Sequence, residues 1–152
     1  MGANLKNIFL FKDKSKKLLK GIYFLGLFLL FVSSGYGQNE ISIGTGVTLL
    51  EGNSGPTLFS FGLSRTGDVS AAATVDFAVA GSGGNPANGA DFTGGTLPIG
   101  TATFIAGSAV ANVNISVNGD IVVESNETFT VTLSNPSIGS TLGTATSLGT
   151  IN

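Results

Sequence analysis

The sequence predicts an all-β chain, a seven-stranded immunoglobulin-like antiparallel sandwich preceded by a signal peptide. Three observations predict it. Short runs rich in Val, Ile, Thr and Phe alternate polar with apolar residues, as half-buried strands do; clusters of Gly, Asn, Ser and Pro separate them; and no segment holds a helical period over three turns. Seven such runs at this spacing describe a sandwich.

The leader comes first in the chain. All six lysines (Lys6, Lys12, Lys14, Lys16, Lys17, Lys20) lie in the first twenty residues, ahead of an apolar run from Gly21 to Val32. A small and polar stretch follows, Ser33 to Gly37, with Gly35 and Gly37 placed for cleavage before Gln38. The apolar run is shorter than the about 20 residues a bilayer span needs, and with no Cys in the chain a lipid-modified cysteine is excluded. Residues 1–37 thus read as a signal peptide and 38–152 as one domain. The expected location is secreted or at the cell surface, with membrane contact only through export.

The strands are expected at Ile41 to Leu50 with a Gly break, Thr57 to Leu63, Thr74 to Ala80, near Thr101 to Phe104, Ala109 to Val117, Thr128 to Leu133, and Thr144 to Ile151. Phe59 and Phe61, Val75, Phe77 and Val79, Val113, Ile115 and Val117, and Phe129, Val131 and Leu133 recur at period two and supply the two inner faces. The long polar connection Gly81 to Gly95 is no phosphate cradle. It lacks a Gly-Lys-Ser/Thr, no helix opens after it, and its one charge is the acidic Asp91.

Without the leader the domain keeps one base, Arg65, against eight acids, a net charge of −7. Such a surface repels phosphate backbones, which excludes nucleic acid as a partner. The domain has no Cys, His, Lys, Tyr, Trp or Met, so disulfides cannot staple it and core burial or bound metal must stabilise it. A bacterial surface setting fits that composition.

The acids are grouped. Gly119 to Phe129 carries Asp120, Glu124 and Glu127 with no base nearby. Successive antiparallel strands alternate in direction, so parity brings three connections to one end: those holding Glu51, Asp91, and the Asp120, Glu124 and Glu127 segment. Arg65 and Asp68 fall in a turn at the other end. Two like charges 4 Å apart repel by about 1 kcal/mol in water and about 4 kcal/mol at an effective dielectric near 20, so a bound cation is the simplest relief. Oxygen ligands on loops, without His or Cys, select a hard ion, and irregular shells suit calcium better than magnesium. The segment is not an EF-hand, because Ile121 to Val123 follow Asp120 and no Gly stands sixth. Spacing alone leaves open that these are ordinary solvated loop acids.

Glu51-Gly52-Asn53-Ser54-Gly55, Thr74-Val75-Asp76-Phe77, Gly89-Ala90-Asp91-Phe92, Gly107, Gly119-Asp120 to Glu124, Glu127-Thr128-Phe129 and Leu133-Ser134-Asn135-Pro136, in that order, resemble the Calx-β domain. The resemblance covers nearly all of residues 41–151. It implies an immunoglobulin-like sandwich binding calcium at one end, with Glu51, Asp91, Asp120, Glu124 and Glu127 as ligands. Phe92 stands where Tyr is usual, and extra residues separate Phe92 from Phe104. The family's last strand runs on into an acidic pair, whereas this chain stops at Ile151-Asn152. The resemblance therefore implies an incomplete calcium shell and a fragment of a longer, repetitive surface protein.

The expected function is a non-catalytic, calcium-binding module with a structural or adhesive role, whose partners are calcium and neighbouring domains or surface proteins. The alternative is an adhesin or carbohydrate-binding module without a calcium site, with glycans as partners; the missing Trp and Tyr weigh against sugar platforms. An enzyme would have only paired carboxylates for acid and base work, on a scaffold offering little cleft.

Overall fold

Nine strands make up the domain: β1 (Asn39–Ile43), β2 (Val47–Leu49), β3 (Gly55–Thr66), β4 (Ala73–Ser82), β5 (Ile99–Phe104), β6 (Val110–Gly119), β7 (Glu127–Ser134), β8 (Ser140–Leu142) and β9 (Thr146–Ile151). The computed structural model describes residues 38–152, so the expected signal peptide, residues 1–37, lies outside the described residues. Two sheets face each other as a sandwich. One has the order β6-β3-β1-β8, the other β2-β9-β7-β4-β5.

The expectation of seven antiparallel strands is corrected in two places. The first expected strand is two: β1 pairs with β3 in one sheet, and after the Gly44-Thr45-Gly46 step β2 pairs with β9 in the other. A strand that changes sheets at a glycine-rich step cannot keep one register. The other added strand, β8, is three residues long and too short to show alternation. Both marginal pairings, β1 with β8 and β2 with β9, are parallel. The five central pairings are antiparallel.

The period-two residues do form the core. Phe59, Phe61, Val75, Val79, Val113, Ile115, Val117, Phe129, Val131 and Leu133 are buried, and Phe77 packs partly buried against them. Full burial of such a side chain stabilises by about 1.5–3 kcal/mol. Phe129 is the hub. Its ring lies 5.7 Å from Phe59, 6.0 Å from Phe61 and 5.3 Å from Phe92, the last edge to face. Across the β7–β9 pair it covers Gly149, where a Cβ would come within 2.2 Å of the ring.

Phe92 enters this core from the connection between β4 and β5. It bridges to Val117 of β6, and Thr93 N–H donates to Ser116 O at 3.1 Å. A connection read as a plain polar loop is thus pinned at its far end. At its near end Ala87 N–H donates to Thr128 O (2.9 Å) and Thr128 N–H to Asn85 O (3.0 Å).

Arg65 does not share an exposed turn with Asp68. It is the last inward-facing residue of β3 and is buried, with Nε donating to Ser108 O (2.8 Å), Nη2 donating to Val69 O (2.9 Å) and Ile105 O (3.3 Å), and the guanidinium 5.4 Å over the Phe104 ring. It ties the β3–β4 and β5–β6 turns together at the end of the sandwich away from the acids.

Candidate metal centre

Each acid reaches its place for a local reason. Asp91 ends a one-turn 3-10 helix, Gly89–Asp91, capped by Asn88. Asn88 Oδ1 accepts from Ala90 N–H at 2.9 Å, and Asp91 Oδ2 accepts from Asn88 N–H at 2.6 Å, a reciprocal capping box. The turn is held to β6 by Asn118, whose Nδ2 donates to Ala90 O at 3.0 Å. Glu127 opens β7, in register with Ile151 of β9. Glu124 stands exposed in the connection before it.

Glu51 follows β2, with its N–H donating to Asn152 O at 3.2 Å and its carbonyl accepting from Thr57 Oγ1. Asp120 follows β6 and closes a tight turn, Oδ1 accepting from Val122 N–H at 2.6 Å. These two segments touch because residue 119 is glycine. A Cβ there would lie 2.6 Å from Gly52 O and 2.9 Å from Glu51 O.

Strand parity is therefore borne out in space, in two tiers. Asp91, Glu124 and Glu127 form the inner group, with one carboxylate oxygen of each within 4.8 Å of the others. Glu51 and Asp120 lie outside it. They line, with Glu124 and Glu127, a cleft of about 270 Å³ whose lining also includes Ile151 and Asn152.

The electrostatics record the crowding. Burial first, then a hydrogen bond with Asp91 and the charges of Asp91, Glu124 and Glu51, push the Glu127 carboxyl up to about 7. Burial, then the charges of Asp120, Glu124 and Asp91, raise Glu51 above the ordinary carboxylate value. All five donors are hard oxygens from three separate segments, and no base lies among them, so the residues fit a hard divalent ion.

Asn88, Phe92, Gly119 and Thr57 position the acids and were not expected to. The Asn-Gly-Ala-Asp spacing is a legible capping signal for the first. The others act through tertiary approach, which has no local signature. Asp76 stands apart on β4, where Thr101 Oγ1 (2.6 Å) and Asn135 Nδ2 (3.2 Å) donate to its carboxylate and hold it below the usual range.

The family model described as the Calx-beta domain matches residues 38–150. Among solved structures, the apo-form CBD1 domain of Calx is 26% identical with a TM-score of 0.59, covering 74% of this chain and 96% of that chain. The calcium binding domain CBD12 of CALX1.1 is 26% identical with a TM-score of 0.58, covering 72% of this chain and 44% of that one. This chain thus spans less than half the length of that structure. The CBD2 domain of Calx shares the fold alone, at 10% identity and a TM-score of 0.61, covering 79% of this chain and 90% of that chain. No curated protein matches the sequence.

Proposed function

The chain belongs to the Calx-beta domain family, and on that premise we propose that it is a non-catalytic calcium-binding module of a secreted or cell-surface protein. The observation that carries the reading is the inner triad. Three carboxylates offering oxygens within 4.8 Å of one another, with no base among them, are a repulsive arrangement that a divalent ion relieves. Asp91, Glu124 and Glu127 would hold the ion, and Glu51 and Asp120 would complete or screen it from the cleft wall. Irregular loop geometry favours calcium over octahedral magnesium.

When bound, calcium supplies positive charge and cross-links the loops. Asp91, fixed by its capping box, Glu124 and Glu127 would hold the ion, and the raised Glu127 carboxyl would have to be ionised to do so. The role is structural, making one end of the sandwich rigid for whatever adjoins it. Export by the leader, residues 1–37, is part of this proposal. Titration with calcium, followed by calorimetry and by melting temperature, tests it. Stabilisation in wild type that disappears in Asp91→Asn and Glu127→Gln is expected; no shift up to about millimolar calcium overturns it.

A further inference from the structure

Residues 121–126, which include Glu124 and lead into Glu127, are exposed throughout and lie in no strand. Val122 N–H bonds locally, to Asp120 Oδ1. Among the described residues, the hydrogen bonds that tie this stretch to a distant part of the chain come from a single side chain. Asn85 Nδ2 donates to Ser125 O at 3.1 Å and to Asn126 O at 3.0 Å. Asn85 is itself held against β7: its carbonyl accepts from Thr128 N–H (3.0 Å), Ala87 N–H donates to Thr128 O (2.9 Å), and Thr128 Oγ1 donates to Ser82 O. Pro86 follows it and keeps the Asn85 backbone out of the helical region, which narrows what the side chain can reach.

We propose that Asn85 is a positioning residue of the metal centre, a clasp that sets where Glu124 stands relative to Glu127 and Asp91. The inference rests on the calcium reading of those acids. The two carbonyls that Asn85 holds lie between the two glutamates in the chain, Ser125 directly after Glu124 and Asn126 directly before Glu127. Glu127 is fixed by the β7 ladder, whereas Glu124 has no strand to place it. Without the clasp, the connection would have to be ordered as the ion binds, and that lost entropy subtracts from affinity. The carboxamide suits the task. Its NH2 group offers two donors and no charge, so it bridges two carbonyls beside crowded carboxylates. A Lys there would donate as well, but its charge would compete with the ion; an Asp would match the shape and donate nothing.

Calorimetric titration of the purified protein with calcium, and digestion in chelator by a protease that cuts after glutamate, test this. Asn85 is exposed, so Asn85→Ala removes the two bonds without opening the core. The variant should bind calcium about fivefold more weakly, the size of effect that one or two lost hydrogen bonds produce. In chelator it should be cut after Glu124 about fivefold faster than wild type, because the connection is no longer held. Arg65→Met, at the other end of the sandwich, separates positioning from stability: it should lower the melting temperature and leave calcium affinity at the wild-type value. Wild-type affinity in Asn85→Ala overturns the proposal and leaves the calcium reading standing. An equal loss of affinity in Arg65→Met, or wild-type cleavage after Glu124 in Asn85→Ala, also overturns it. Absence of calcium binding by the wild-type protein overturns both readings.

Discussion

Phe92 meets Phe129 edge to face at 5.3 Å in the middle of the core, and this contact brings Asp91 and Glu127 together at the surface. Asp91 immediately precedes one ring, and Glu127 lies two residues before the other. Two segments distant in sequence thus deliver their carboxylates to one place because their aromatic neighbours are buried against each other. The metal centre is hung from the core.

Phe92→Ala should therefore cost more than stability. Loss of a fully buried ring costs about 3–5 kcal/mol. If the variant folds, its calcium-induced stabilisation should shrink well beyond that of a Phe92→Leu variant, because the 3-10 turn holding Asp91 loses its anchor. Thermal melts with and without calcium check both effects.

Glu127→Gln should act with opposite signs in the two states. Removing the charge relieves a carboxyl pushed up to about 7, so the calcium-free protein at about pH 8 gains stability. About 1–2 kcal/mol is expected after screening by solvent is allowed for. The same variant should lose most of its stabilisation by calcium. Denaturant unfolding with chelator and with calcium measures both, and a loss in each condition would contradict the assignment.

The pH dependence follows from the same group. Its folded value, about 7, lies above the ordinary 4.5, so the folded state binds the proton more tightly than the unfolded one. That contribution is full below about pH 4.5 and is lost as pH rises through about 7. Calcium-free protein should weaken across this window. Calcium competes with the proton, so its affinity should rise over the same range, with proton release seen by calorimetry in buffers of different ionisation enthalpy.

Gly149→Ala would place a Cβ within 2.2 Å of the Phe129 ring. The ring or β9 must move, at a cost of about 1–3 kcal/mol. Its Tm should fall with or without calcium.

Arg65→Met should separate stability from the metal centre. It removes three hydrogen bonds to backbone carbonyls and the contact with Phe104, leaving Ser108 O, Val69 O and Ile105 O without that donor. A loss of about 2–4 kcal/mol is expected. Calcium affinity should be unchanged, because Arg65 lies at the other end. Arg65→Lys should rescue little, since one ammonium cannot reproduce the planar fork.

Much of this was legible beforehand for a physical reason. Alternation at period two is a local property of strands such as Thr128 to Leu133, and it marked the inner faces without knowledge of their partners. The parity of strand directions then sorted the acids to one end. What parity could not see was the split of the first strand between sheets and the burial of Arg65. Each depends on what lies opposite in space rather than on neighbours in the chain.

The sequence by itself determined an all-β domain, its inner faces, and five acids collected at one end, because periodicity, turn residues and unpaired charge are written along the chain. Only the tertiary structure decided that Asp91, Glu124 and Glu127 are the inner group while Glu51 and Asp120 line the cleft. That ranking comes from the burial of Phe92 against Phe129 and the close pass of Gly119 over Gly52, contacts set by packing between segments far apart in sequence.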